Sequence, residues 1–175
     1  MSYAIVYSSK TGNTQMLAQA IRQALPLEEG VYFGGPDSAA LAAERLYVGF
    51  WTDKGACDPD TSAFLPQVRG KEVFLFGTAG FGGDEAYFQK VLDRVKANLD
   101  PSNTLVGSYM CQGKMPLAVR QRYEQLRLSP GRQAQADQML DNFDRALSHP
   151  SQEDLNRLVK RVMEAKAGQG EQERA

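Results

Sequence analysis

The sequence predicts a doubly wound α/β fold, in which helices cover both faces of a parallel β-sheet. Five short apolar segments alternate with segments of helical periodicity between Tyr3 and Tyr109. This alternation favours a parallel sheet because parallel strands need long crossover connections, and helices supply them. Polar or glycine-rich segments follow the first, third and fourth apolar segments. Ligands of such sheets bind beyond the carboxyl ends of the strands, so these segments form the candidate site.

The first half of the chain supplies three of the predicted strands. Residues 3–7 form a short apolar run that is typical of a strand buried on both faces. Residues 13–25 place apolar side chains at helical spacing, and Pro26 ends this predicted helix. Weaker signals predict a strand at 31–33, a short helix near 38–43, a third strand at 46–50 and a brief helix near 62–68.

The second half completes the sheet and then becomes entirely helical. Residues 72–76 form the clearest buried strand, and residues 104–109 form the fifth. Between them, a helix over 84–99 carries its apolar side chains on one face. Three further helices are predicted at 116–127, at 131–147 and at 151–166, where Ser151 and Asp154 resemble a capping box.

The predicted elements divide the chain into three parts. Residues 1–128 are expected to form the site-bearing domain, residues 129–167 a helical extension packed on that domain, and residues 168–175 a flexible tail. The extension has two possible uses, because its apolar stripe can pack on the domain while its outer face meets a partner. The charged side chains of that outer face are Arg145, Arg157, Lys160 and Arg161.

Composition excludes several classes of function. The formal net charge of −1 and the pI of about 5.9 provide no basic field for nucleic acid. No apolar run reaches the roughly 20 residues of a membrane-spanning helix, and the N-terminus lacks the pattern of a signal peptide, so a cytoplasmic protein is expected. Cys57 and Cys111 have no metal-ligand spacing, and His149 is the single histidine, so no metal site is predicted.

The segment after the first strand has the composition of a phosphate site. It leads directly into a predicted helix N-terminus, where unpaired backbone N–H groups and the helix dipole attract an anion. Hydroxyl groups add uncharged donors, and a glycine lets the backbone approach the phosphate closely. Neither a P-loop pattern nor a dinucleotide fingerprint is present here; the alternative is a polar turn that caps the helix. The predicted phosphate-binding residues are Ser9, Lys10, Thr11, Gly12, Asn13 and Thr14.

Two further segments after strands place an aromatic residue among polar residues and glycines. This combination suits a flat ring held between aromatic walls, with backbone amides at its polar edge. The alternative is that Trp51 and Phe81 are core residues. The predicted ring-binding residues are Phe50, Trp51, Thr52, Asp53 and Gly55 after the third strand, and Thr78, Ala79, Gly80, Phe81 and Gly82 after the fourth.

These segments together resemble those of a known family. The run S-x-T-G-N-T from Ser9 to Thr14 resembles the FMN-phosphate loop of the flavodoxin family, and the two aromatic segments resemble its isoalloxazine-binding loops. The resemblance covers residues 1–128 and implies a five-stranded parallel sheet of order 2-1-3-4-5 with FMN as the cofactor. The strings GFWTDKG, FGTAGFGG and CQGKM also resemble a subgroup of short flavodoxin-like proteins associated with bacterial bilirubin reductases.

The resemblance implies an electron carrier in which the flavin, and no side chain, performs the redox chemistry. Its partners would be an electron-donating reductase and an electron-accepting enzyme, the latter a bilirubin or tetrapyrrole reductase if the subgroup applies. In flavodoxins a glycine after the third strand commonly contacts the flavin N5, and here the first such glycine is Gly55. The alternative function is an NAD(P)H-dependent FMN or quinone oxidoreductase of the same fold, although no separate dinucleotide motif is present.

Overall fold

The computed structural model describes residues 1–172, with the side chains of residues 1–168. The strands are β1 (Tyr3–Tyr7), β2 (Gly30–Gly34), β3 (Arg45–Asp53), β4 (Ala56–Cys57), β5 (Glu72–Ala79) and β6 (Thr104–Gln112). Five parallel strands lie in the order β2-β1-β3-β5-β6, and the two-residue strand β4 pairs antiparallel with the end of β3. The predicted order of the five parallel strands is therefore confirmed, whereas β4 is too short to leave a sequence signal.

Helices cover both faces of this sheet, as predicted. The α-helices are α1 (Asn13–Ala24), α2 (Pro59–Phe64), α3 (Glu85–Lys96), α4 (Leu117–Arg127), α5 (Gln133–Ala146) and α6 (Gln152–Gln172). Short 3₁₀ helices occupy Leu27–Glu29, Ser38–Ala42 and Leu65–Gln67. None of the described helices is long and apolar enough to cross a membrane. Helix α6 continues past its predicted end at residue 166, and residues 173–175 of the predicted tail lie outside the described residues.

Strands β3, β5 and β6 each extend beyond their predicted ends at residues 50, 76 and 109. Main-chain pairing continues past these positions, with Trp51 opposite Thr78 and Thr78 opposite Cys111. Apart from Trp51 and Met110, the side chains at these strand ends are polar or small, so the hydrophobic pattern alone placed the ends in loops. The strands therefore hold several candidate site residues in a regular main-chain geometry.

Two aromatic side chains lie against glycines of the neighbouring strand. Phe50 pairs with Gly77, and Phe76 pairs with Gly49, across β3 and β5. A Cβ atom at Gly77 would approach the Phe50 ring to 2.4 Å, and one at Gly49 would approach the Phe76 ring to 2.3 Å. Both rings are fully buried, because each occupies the space that the missing side chain leaves. This packing removes Phe50 from the surface of the candidate site.

The C-terminal helices pack in two groups. Helix α6 packs against α1 and β6, and its Leu158 and Val162 are fully buried in one core cluster. Helices α4 and α5 pack on each other, joined by ion pairs between Arg127 and Asp137 and between Arg120 and Asp144. We call this pair of helices the α4–α5 hairpin; the division of the chain at residue 128 stays a prediction.

We expect Val162→Ala to lower the free energy of unfolding by about 1.5 kcal/mol, since it removes two buried carbon groups and leaves a small cavity. The matched control is Val31→Ala, because Val31 is 53% exposed and its replacement is expected to change stability by less than about 0.5 kcal/mol. Urea unfolding measures both values. Equal effects of the two substitutions would contradict the placement of α6 in the core.

Candidate cofactor site

A cleft of about 1430 Å³ opens at the carboxyl edge of the sheet. Its lining includes residues that follow or end β1, β3 and β5, three strands that are neighbours in the sheet. The chain proceeds from β1 to β2 on one side and from β3 to β5 on the other, so the cleft lies where the strand order reverses. Helix α4 and the segment before it form a further wall.

The predicted phosphate loop, residues 9–14, leads into helix α1, and its backbone is open at Gly12. Gly12 is the N-cap of α1 with φ of 94°, and apart from its chain neighbours no atom of the described residues lies within 4 Å of the position that a Cβ would occupy. The Ser9 hydroxyl oxygen accepts from the backbone N–H groups of Gly12 and Gln15, at 3.2 and 3.3 Å. Thr11 is exposed and lines the cleft. The loop therefore offers N–H and hydroxyl donors to an anion at a helix N-terminus.

Asn13 presents an acceptor that the described residues leave unused. Its side-chain amide donates to the Lys114 carbonyl oxygen at 2.8 Å, while its buried Oδ1 has no hydrogen-bond partner among those residues. Asn13 also lines the cleft. Buried polar atoms without partners are costly, so a ligand hydroxyl at this position would be favoured.

The Thr14 hydroxyl ties the loop to the sheet. It donates to the Phe50 carbonyl oxygen at 3.1 Å and shares a 3.0 Å hydrogen bond with the Thr78 hydroxyl. The Thr52 hydroxyl in turn donates to the Thr78 carbonyl oxygen at 2.8 Å. Thr14 is 1% exposed, and its hydroxyl proton is used in the hydrogen bond to Phe50. These contacts of Thr14 connect α1 to the ends of β3 and β5.

Trp51 forms an aromatic wall whose backbone is fixed by a buried carboxylate. Its ring lies under the Lys10 ammonium group, which is 5.1 Å from the ring centroid. The Trp51 N–H donates to Asp58 Oδ2 at 3.3 Å, and the Asp58 N–H donates to the Trp51 carbonyl oxygen at 3.0 Å. Asp58 is fully buried and also caps α2 through the Thr61 N–H and hydroxyl. Both main-chain groups of Trp51 are therefore held.

A tight turn links β3 to β4 beside this wall. Lys54 and Gly55 have φ values of 51° and 78°, the left-handed conformation that two-residue hairpin turns require. Arg94 of α3 donates to the Gly55 carbonyl oxygen at 3.1 Å. The turn thus places Asp53, Lys54 and Gly55 in a defined position along the cleft.

The opposite side of the cleft combines the loop after β5 with helix α4. Phe81 is 40% exposed, and its ring centroid lies 6.2 Å from that of Tyr123 on α4. The Gly80 carbonyl oxygen accepts from Gln112 Nε2 at 3.0 Å and from Asn142 Nδ2 at 2.9 Å. Gln112 of β6 also donates to Asn142 Oδ1 at 3.1 Å, so Asn142 of α5 joins the α4–α5 hairpin to both β6 and the loop after β5.

The structure brings most of the predicted site residues together. The cleft is lined by Ser9, Lys10, Thr11, Asn13, Thr14, Trp51, Thr52, Asp53, Gly55, Thr78, Ala79, Gly80 and Phe81. Three predicted residues do not line it. Gly12 is the N-cap of α1 within the loop, the Phe50 side chain is buried against Gly77, and a Cβ at Gly82 would approach the Tyr87 ring to 2.3 Å. Gly82 therefore permits the close packing of Tyr87.

Helix α4 and the segment before it were not predicted as part of the site. Arg122, Tyr123 and Gln125 have no spacing that points to a ligand, so no sequence signal identifies them. Lys114 and Met115 follow the carboxyl end of β6, at the same edge of the sheet as the other site residues. Their position after a parallel strand is the sequence signal that could have identified them as site residues. The unpredicted lining residues are Lys54, Tyr87, Gly113, Lys114, Met115, Pro116, Ala118, Val119, Gln121, Arg122, Tyr123, Glu124 and Gln125.

Other reactive side chains lie outside the cleft. Burial raises the pKa of both the Cys57 and the Cys111 thiol, so both are protonated at neutral pH. His149 Nδ1 lies 2.6 Å from Asp154 Oδ2, next to the N-terminus of α6. Asp84 accepts from the Tyr87 N–H at 2.7 Å and caps α3. Among the described residues, no three histidine, cysteine or acidic side chains cluster as metal ligands.

We expect Asp58→Asn to lower the free energy of unfolding by about 2 kcal/mol, since one amide oxygen cannot accept from all three donors. Flavin affinity is expected to fall as well, because the Trp51 backbone loses its fixed partner. The matched control is Asp37→Asn, because exposed Asp37 caps a short helix through the Ala39 N–H and asparagine caps equally well. Thermal or urea unfolding and flavin titration provide the readouts, and an Asp58→Asn variant that behaves like Asp37→Asn would contradict this assignment.

A doubly wound sheet with a helix N-terminus and an aromatic-walled cleft at its switch point defines a mononucleotide-binding class of protein. The chain belongs to the flavodoxin family: a family model described as a flavodoxin domain matches residues 4–163. The family expectation is confirmed, and the match extends through most of α6, in agreement with the packing of that helix.

Two curated relatives match most of the chain. A flavodoxin-like domain-containing protein BilS from Clostridium symbiosum (strain WAL-14163) is 42% identical over 173 residues, covering 89% of this chain and 90% of that protein. A protein of the same name from Clostridioides difficile (strain CD3) is 29% identical over 164 residues, with the same coverages. The crystal structure of a flavodoxin, a WrbA-like protein from Agrobacterium tumefaciens, is 16% identical with a TM-score of 0.50, covering 91% of this chain and 98% of that chain; this likeness shows the fold alone.

Membership of this family confirms the prediction of FMN as the cofactor. The residues present fit that ligand. The exposed Thr11 hydroxyl and the open backbone at Gly12 suit a phosphate, and the unpaired Asn13 Oδ1 suits a hydroxyl of the ribityl chain. Trp51 and Phe81 offer aromatic surface for the ring system.

Proposed function

We propose that this protein is an FMN-dependent electron carrier that takes reducing equivalents from one protein and delivers them to a partner reductase. The observation that carries the proposal is the open cleft at the switch point, which combines the loop before α1 with aromatic walls. FMN supplies the redox chemistry when bound. The residues of the chain would bind the phosphate at the loop before α1 and hold the ring system between the aromatic side chains of the cleft.

The subgroup resemblance supports a bilirubin or tetrapyrrole reductase as the electron-accepting partner. The curated relatives at 42% and 29% identity support the subgroup. The residues of the site themselves point to a flavin and not to a tetrapyrrole, so this choice of partner rests on the resemblance.

The second candidate is an NAD(P)H-dependent FMN or quinone oxidoreductase. The volume of the cleft favours it, since about 1430 Å³ exceeds the roughly 300–1,000 Å³ of common ligand pockets and leaves room beside a flavin. A nicotinamide or quinone would need to be held against the flavin ring.

Steady-state kinetics separate the two functions. We expect the FMN-loaded protein to oxidise NADH or NADPH negligibly with a quinone acceptor, and to be reduced readily when a flavodoxin or ferredoxin reductase is added. Rapid turnover with nicotinamide and quinone alone would favour the oxidoreductase. Failure of the reductase to reduce the bound FMN would contradict the carrier.

A further inference from the structure

Three cations surround the cleft on segments outside the phosphate loop. Lys54 lies in the β3–β4 turn, Lys114 follows β6, and Arg122 lies on α4. All three residues line the cleft and are exposed. Within the part of the chain that the structure describes, none of them is ion-paired with a carboxylate. Their charges are therefore available to a molecule that approaches the cleft.

The carboxylates of the cleft do not balance these cations. Asp53 and Glu124 are its two acidic lining residues, and Glu124 is 3.2 Å from the Arg120 Nε atom, which offsets its charge. The rim is thus locally positive although the whole chain carries a formal net charge of −1. We call Lys54, Lys114 and Arg122 the cationic rim.

Exposed apolar side chains lie beside the cationic rim. Phe81 in the cleft is 40% exposed, and Leu117, between the lining residues Pro116 and Ala118, is 64% exposed. An apolar centre with charged surroundings is the usual composition of a protein docking surface. The surface is held in place because Asn142 of α5 hydrogen-bonds to the Gly80 carbonyl oxygen and to Gln112 of β6.

We propose that the cationic rim is the docking surface for an acidic redox partner protein, and that the α4–α5 hairpin serves to hold Arg122 at that surface. This inference rests on the proposed function, since a carrier must bring its partner to the flavin. Three exposed charges on three separate segments fit an extended acidic surface, and complementary charge steers such encounters.

The basic side chains of α6, which the sequence analysis considered as a partner-docking face, do not line the cleft. Arg157, Lys160 and Arg161 line a second cavity of about 370 Å³ that borders β6. Arg157 is ion-paired with Glu153, and Glu85 and Glu164 share the cavity. These cations are therefore more nearly balanced than the cationic rim, and they are separated from the cleft lining.

The test measures electron transfer between the FMN-loaded protein and two protein probes of opposite charge. Two reduced molecules of an acidic ferredoxin each lose one electron and together reduce one FMN, which takes its protons from water. Two molecules of basic ferric cytochrome c each gain one electron from one reduced FMN. We expect the ferredoxin rate to fall as salt rises, because salt screens the attraction, and the cytochrome c rate to rise.

Two charge-reversal variants locate the surface. Lys114→Glu/Arg122→Glu and Lys160→Glu/Arg161→Glu change the net charge equally, so only the position of the charge differs. We expect the first variant to lower the ferredoxin rate about tenfold or more at low salt and to converge with the unsubstituted protein at high salt. The second variant is expected to change it less than about twofold.

FMN affinity is measured first, and rates are compared at saturating FMN. A protein that binds no FMN overturns the proposed function and this inference with it. A protein that binds FMN but reacts faster with ferredoxin as salt rises, or that loses rate equally in both variants, overturns the docking surface alone. The salt dependence of the unsubstituted protein needs no substitution, so the test does not depend on variant folding.

Discussion

Trp51→Ala is expected to weaken the binding of both FMN and riboflavin by about 100-fold, which corresponds to about 3 kcal/mol. The reason is that both ligands carry the ring system, and Trp51 is the aromatic wall on the β3 side of the cleft. The substitution also removes the ring that the Lys10 ammonium group contacts. Quenching of flavin fluorescence on titration with the apo-protein measures both affinities.

The control for this substitution is Trp51→Phe, which keeps an aromatic face and the backbone contacts with Asp58. It is expected to retain most of the affinity. If Trp51→Ala and Trp51→Phe bind both flavins as tightly as the unsubstituted protein, Trp51 does not contact the ring and the orientation assigned to the ligand is wrong.

Thr11→Ala is expected to weaken FMN by about 30-fold, or about 2 kcal/mol, and to leave riboflavin almost unchanged. The hydroxyl of exposed Thr11 lies in the loop before α1 and is expected to serve only the phosphate, which riboflavin lacks. The ratio of the FMN and riboflavin dissociation constants, each measured by fluorescence titration, is the decisive quantity.

The control is Thr11→Ser, which keeps the hydroxyl and is expected to bind FMN nearly as tightly as the unsubstituted protein. Thr14→Ala is different, because the Thr14 hydroxyl is buried between Phe50 and Thr78. We expect it to weaken both flavins together and to lower stability. Equal losses for FMN and riboflavin in Thr11→Ala would remove the phosphate assignment from this loop.

The sequence predicted β1 and β5 well because both strands are buried on both faces. Residues 3–7 and 73–76 are continuous apolar runs, and such runs are typical of strands covered by helices on both sides. The carboxyl ends of β3 and β5 were missed because Thr52 and Thr78 are polar and do not continue the apolar run. Main-chain pairing and the hydrogen bond from the Thr52 hydroxyl to the Thr78 carbonyl oxygen place both residues in the strands.

The packing partners of α6 could not be predicted from the residues of that helix. Leu158 and Val162 recur at helical spacing and indicate a buried stripe, but such a stripe does not say which surface covers it. Its packing on α1 and β6 is a long-range result. The sequence therefore predicts that the extension packs on the domain, but not which elements of the domain it contacts.

The candidate site was predictable where its residues are consecutive in the sequence. Ser9 to Thr14 combine donors with a helix start, and that combination is readable from the sequence. Phe50 was misplaced because its neighbour Gly77 lies on another strand and gives its ring a buried position. Arg122 and Tyr123 were missed because they reach the cleft only through the packing of the α4–α5 hairpin.

Titration of the purified apo-protein with FMN tests the central claim most directly. Trp51 is the only tryptophan of the chain and lines the cleft, so its emission reports on the site. We predict that its emission is quenched to an end point at one FMN per chain, and that the protein then retains flavin absorbance bands after removal of free ligand. An unchanged Trp51 emission, together with no retained flavin absorbance after reconstitution, would contradict the account.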